Sequence, residues 1–207
     1  MKRLLLLTAA LLLSGAALAQ EGYERQRRDL FDVLPVRSND IIFLGDGLTD
    51  GCEWAELFDN RHIKNRGIRG DRSEWLLERL DTLIAGHPKK LFLMIGTNDL
   101  AAGVAPARIV EHVRRLIDRF RTETKLYVQS ILPVNGRSFD RYAEHYARAA
   151  QIVETNRQLA ALCEELQVVY LDVYAALVDS NGDLNAAYTD DGLHLLGEGY
   201  QVWKEAI

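Results

Sequence analysis

The chain has 207 residues, with 25 Lys and Arg against 30 Asp and Glu, for a formal net charge of −5. That acidic balance, with basic residues scattered and forming no stripe, argues against nucleic acid as a partner. Two cysteines, Cys52 and Cys163, are too few for a disulfide framework, and nothing in their spacing favours a pair.

In chain order, Lys2-Arg3 precede an apolar stretch from Leu4 to Leu13, and Ala17-Leu18-Ala19 supplies small residues at both recognition positions of a signal-peptidase site. The expectation is a secretory signal over residues 1–19, cleaved before Gln20, and a secreted or periplasmic protein. The apolar run is short for a bilayer span, so no stable membrane anchor is expected. No cysteine follows it that would mark a lipoprotein. Removing the leader takes away Lys2 and Arg3, so the charge becomes −5 − 2 = −7. The remaining residues, 20–207, fit one domain with a sizeable core.

Past the leader, Arg25 to Leu34 suggests a short helix at the domain edge. Ile41 to Leu44 is a compact apolar run ending at Gly45, the pattern of a parallel strand buried on both faces. His62 to Lys64 is a weaker strand signal. Ser73 to Ala85 has helical periodicity, and Leu91 to Ile95 repeats the apolar strand before Gly96. Pro106 to Thr122 suggests a helix, Leu126 to Leu132 a strand ending at Pro133, Tyr142 to Leu166 a long helix, and Val168 to Leu171 a further strand. A terminal helix near Gly197 to Ala206 closes the chain. Short apolar strands alternating with amphipathic helices predict a three-layer α/β/α domain with a central parallel sheet, flavodoxin-like in outline, whose ligands sit at the carboxyl ends of the strands.

Four short blocks stand out on this background: Gly45-Asp46-Gly47 after the first strand, Asn65 to Asp71, Gly96-Thr97-Asn98-Asp99, and Asp191-Gly192-Leu193-His194 in a loop before the last helix. In this order and separation they resemble the signature blocks of the GDSL, or SGNH, hydrolases. Within that family the single-domain form, with Leu132-Pro133 and the closing Asp-Gly-Leu-His, is similar to platelet-activating-factor acetylhydrolase subunits and bacterial carbohydrate O-acetylesterases. The family's nucleophilic serine would fall at position 47, where this chain has glycine.

The resemblance implies a serine esterase scaffold acting on short acyl, chiefly acetyl, esters, with a small acylated substrate such as an acetylated sugar. It makes His194 the base, Asp191 the residue that fixes its tautomer, and Asn98 with the N–H groups of Gly70 and Gly47 the oxyanion donors. Asp46 would support the site by hydrogen-bonding across it. Without the resemblance, Asn98 reads as a turn or cap residue, Asp191 and His194 as loop residues, and the glycines as turn formers. Asp99 reads as structural. No cofactor or metal is expected, since phosphate-cradling glycine loops and metal-spaced His or Cys clusters are absent from the sequence.

Gly47 carries no hydroxyl, so the chain as written should be inactive or nearly so. Thr49 and Cys52, two and five residues on, would point elsewhere if the turn leads into a helix. Two explanations stay open: a serine-to-glycine replacement in an esterase, or a pseudoenzyme that binds an acylated ligand without cleaving it. Whether the chain forms a homo-oligomer is also open. Arg69 and Arg72 depart from the small or hydroxyl residues expected around the second block and could contact an acidic or sugar-like substrate. Trp54, Trp75 and Trp203 suit core packing better than a pocket wall, and His62, His87, His112 and His145 receive no role.

Overall fold

The architecture comes from a computed structural model, which describes residues 20, 22–120 and 123–207. The expected leader, residues 1–19, lies outside the described residues. Five parallel strands, β1 (Ile41–Gly45), β2 (Ile63–Gly67), β3 (Lys90–Met94), β4 (Lys125–Gln129) and β5 (Val169–Leu171), form one sheet in the order β2-β1-β3-β4-β5. This is the doubly wound order in which the chain reverses direction between β1 and β3, leaving a crevice beyond their carboxyl ends.

The strands form because both of their faces find apolar cover. Along β1, Ile42 and Leu44 enter one core with Leu91 and Leu93 of β3, while Phe43 enters the other with Phe92 and Met94. Alternation of side chains across the sheet accounts for this division. The first core is closed by α4 (Ser73–Leu77), α5 (Asp81–Ala85), α7 (Pro106–Phe120) and α9 (Ala149–Leu166). The second is closed by α3 (Trp54–Leu57), α10 (Val173–Leu177) and α11 (Gly197–Glu205).

On the second face the register places Phe43 opposite Phe92 and Phe92 opposite Tyr127. Their rings stack at 4.9 and 4.4 Å between centroids, and Trp54 stacks on Phe43 at 4.4 Å. Such pairs contribute about 0.5–1.5 kcal/mol each beyond burial. Trp54 and Trp203 are thus core residues, and Trp75 carries the Arg72 guanidinium over its ring. Cys52 and Cys163 belong to opposite cores, so both are free and buried.

The apolar strands match expectation closely, apart from β4, which ends at Gln129. The segment 73–85 breaks into α4 and α5, and 142–166 into α8 (Ala143–Tyr146) and α9. The edge helix α1 covers residues 22–33.

Candidate functional site

Two loops flank the crevice. After β1 the chain enters the short helix α2 (Gly47–Asp50), and after β3 it enters α6 (Thr97–Ala101). The second block folds as the end of β2 and the turn that follows, and the fourth as the loop before α11. Gly47, Gly70, Asn98, Asp191 and His194 come together on one cavity of about 530 Å³.

The 189–194 loop is organised by its own side chains. Asp191 Oδ1 accepts the N–H groups of Leu193 (2.9 Å) and His194 (2.8 Å), and its Oδ2 lies 2.7 Å from His194 Nδ1. Thr189 Oγ1 accepts the N–H of Gly192 at 2.9 Å. Gly192 has φ +85°, and a Cβ there would meet the Asn135 carbonyl oxygen at 2.2 Å, so only glycine permits the turn. Burial pushes the Asp191 carboxyl up, but hydrogen bonds from the His194 ring and the two backbone N–H groups outweigh it and hold the group below the ordinary carboxylate value. An ionised Asp191 keeps the hydrogen of His194 on Nδ1 and leaves Nε2 as the acceptor.

Asn98 is the second residue of α6 and is held by one of its two amide hydrogens, since Nδ2 donates to the Asp71 carbonyl at 3.0 Å. That contact directs Oδ1 toward His145, whose Nε2 lies 3.5 Å away and, facing an acceptor, carries its hydrogen. The second Nδ2 hydrogen remains for the cavity. Among the described residues neither the N–H of Gly47 nor that of Gly70 donates to a backbone acceptor. Asp71 is in turn fixed by buried Arg79, whose Nη2 lies 2.6 Å from its carboxylate and donates to the carbonyls of Gly45 (3.2 Å) and Arg66 (2.9 Å). One guanidinium therefore ties the ends of β1 and β2 to the second block.

Position 47 itself is unstrained. A Cβ added to Gly47 would approach Arg69 Cα at 3.4 Å, an ordinary contact. Asp46 caps α2 through Oδ1, which accepts the Leu48 N–H at 3.0 Å. The expected bond across the site is not made, and Asp46 Oδ2 is buried without a hydrogen-bond partner. Burial, with Asp71 and Asp99 adding repulsion and the Leu48 N–H opposing, raises the Asp46 carboxyl to about 7. Asp99 turns away from the cavity to accept the Ser73 N–H and hydroxyl, the latter at 2.6 Å. Neither Thr49 nor Cys52 lines the cavity; both are buried, and burial pushes the Cys52 thiol to about 12.

Several wall residues carried no sequence signal of this role. His145 and Tyr142 come from the segment after β4, and the Tyr142 ring packs edge-on against both His145 (5.5 Å) and His194 (5.3 Å). Arg141, Tyr200 and Gln20 complete the rim, the Gln20 amide donating to the Arg69 carbonyl. Arg69 lines the cavity while pairing with Asp50 at 3.3 Å; Arg72 does not line it. His145 is shifted down by burial and by His194, against the pull of Glu144, which favours a neutral ring. Among the described residues no group of three or more His, Cys, Asp or Glu side chains is disposed to hold a metal ion.

A five-stranded parallel sheet in this order, with a paired imidazole and carboxylate in the crevice at its carboxyl edge, defines a three-layer α/β/α domain of hydrolase type. The chain belongs to the GDSL-like lipase/acylhydrolase family, whose model matches residues 43–202. It is 29% identical over 170 residues to platelet-activating factor acetylhydrolase IB subunit alpha2 of Rattus norvegicus, covering 78% of this chain and 71% of that one. It is also 28% identical to N-acylneuraminate cytidylyltransferase of Escherichia coli, covering 91% of this chain and 46% of the longer protein. A structure from Streptococcus pneumonia, described provisionally as a platelet activating factor, superposes with a TM-score of 0.82 at 34% identity and 96% coverage of both chains. A catalytic mutant of the acetylxylan esterase Axe2 from Geobacillus stearothermophilus shares the fold, with a TM-score of 0.67 at 19% identity over 83% of this chain and 93% of that one.

Proposed function

We propose that the protein is an ester hydrolase scaffold for short acyl groups, acetyl foremost, carried on a carbohydrate, and that it lacks its nucleophile because Gly47 stands where the family's serine would act. The observation that supports this reading is that the Asp191–His194 pair, Asn98, Gly70 and the unstrained position 47 all line one cavity.

With a hydroxyl at position 47, His194 Nε2 would take its proton as the oxygen attacks the ester carbonyl, and Asp191 would stabilise the imidazolium. The oxyanion would meet Asn98 Nδ2 and the N–H groups of residues 47 and 70. The alcohol would leave with the proton from His194, and water, activated by the same ring, would release the acyl group. With glycine, the chain retains base and donors but forms no acyl intermediate. The sugar assignment rests on the polar character of the wall, with Arg69, Arg141, Tyr142 and Tyr200 around the mouth, and on the acetylxylan esterase of the same fold.

The deciding experiment compares the chain with Gly47→Ser on a short-chain aryl ester and on acetylated sugars. A large gain in turnover is expected with serine; equal rates for the two proteins would refute the assignment of position 47. We further propose export through the N-terminal leader, tested by the N-terminal sequence of protein recovered outside the cytoplasm.

A further inference from the structure

A second cavity, of about 550 Å³, lies along the edge strand β2 and shares no lining residue with the first. Its wall is built by the turn after α1, with Arg37 and Asp40, and by Arg61, His62, Lys64 and Arg66. Lys64 and Arg66 are two apart along β2 and so share a face, and His62 stands in the turn that leads into the strand. Four permanent cations, Arg37, Arg61, Lys64 and Arg66, therefore surround one carboxylate, Asp40, a local balance of 4 − 1 = +3 in a chain of net charge −5.

Asp40 forms no ion pair within 4 Å with any of them. It is buried, its Oδ2 accepts the Arg37 backbone N–H at 2.9 Å, and its Oδ1 stands 4.0 Å from His62 Nδ1. Among the described residues none of the four cations has a carboxylate oxygen within 4 Å, whereas Arg28, Arg79, Arg114 and Arg157 each do. Arg66 is the most buried of them. It is only 4% exposed, its guanidinium lies 4.8 Å over the Phe31 ring, its Nη1 donates to the Asn65 carbonyl, and its Nε is buried with no hydrogen-bond partner. Burial pushes this guanidinium down to about 10, against the pull of Asp40. Charges on an edge strand discourage pairing with another sheet, but Lys64 meets that need without a buried arginine or the cations of the flanking turns.

We propose that this cavity binds a dianionic tetrahedral oxyanion, the phosphate or sulfate group of a small ligand, apart from the candidate ester site. Guanidinium groups match such oxygens bidentately. A dianion brings the local balance from +3 to +1, while a monocarboxylate leaves it at +2. The volume also leaves room for a sugar-sized body beyond the charged group.

The test is calorimetry and thermal denaturation of the full-length protein with inorganic phosphate, sulfate, acetate, and sodium chloride at matched ionic strength. Saturable binding of phosphate or sulfate with a raised Tm is expected, the stronger of the two identifying the group. Arg61→Ser combined with Lys64→Ser should weaken that binding by about tenfold or more, while Arg141→Ser, in the other cavity, should leave it unchanged. A rise in Tm equalled by sodium chloride, acetate binding as tight as that of the dianions, or binding that survives the double substitution or falls with Arg141→Ser would each overturn the proposal.

Discussion

The 189–194 loop and the turn at 45–49 face each other across the same cavity, yet they are held by different means. The loop is wired internally, with Asp191 and Thr189 accepting four backbone and ring N–H groups between Gly192 and His194. The turn has one internal bond, the Asp46 cap, and is otherwise held from outside, by Arg79 reaching the Gly45 carbonyl and by the Tyr200 hydroxyl reaching the Leu48 carbonyl. Neither set of bonds involves a side chain at position 47. On the proposed reading, the position of the imidazole and of the Asn98 amide therefore does not depend on whether residue 47 carries a hydroxyl.

The strongest way to test this contrast is to restore the hydroxyl. Gly47→Ser should raise esterase kcat by about 10³-fold or more, the scale on which removal of a serine nucleophile acts. If the base side is as ready as its bonding indicates, adding His194→Ala to that variant should return the rate to that of the glycine chain, measured on the same aryl ester. Next in size is the oxyanion side. Asn98→Ala in the serine background should cost roughly 10²- to 10³-fold in kcat; an unchanged kcat would reduce Asn98 to a helix-opening residue.

The smallest expected effect concerns the turn alone. The Asp46 carboxyl has a folded-state pKa of about 7, above its unfolded value near 3.9. The folded state therefore binds the proton more tightly, and this contribution to stability is fully present below about pH 4 and lost as pH rises through 7. Asp46→Asn removes that dependence. Between pH 5 and 8 the parent's Tm should fall relative to that of the variant; parallel Tm curves would mean that Asp46 is ionised in the folded protein throughout.

Much of the architecture was legible because β1 and β3 are buried on both faces and so appear as unbroken apolar runs. Strand β2 gave a weak signal for the opposite reason: it is an edge strand, and Lys64 and Arg66 occupy positions that a central strand would fill with apolar residues. The break between α4 and α5 falls at Glu78 to Leu80 without glycine or proline, so no local residue marks it. The five residues around the cavity were visible through their blocks, each at the end of a strand or in the last loop. His145 and Tyr142 were not, because only the path of the chain after β4 brings them beside Asn98 and His194, and no spacing within the sequence encodes that proximity.

The ordinary contact that a β-carbon would make at position 47 has a bearing on the history of such a chain. A β-carbon at position 47 meets Arg69 only at ordinary contact distances, and the backbone there has no positive φ that would penalise a side chain. Glycine and serine codons can be one nucleotide apart, so the two forms are neighbours in sequence space with no compensating substitution between them. A lineage carrying the glycine form can cross to the serine form, or return, without passing through a misfolded ancestor.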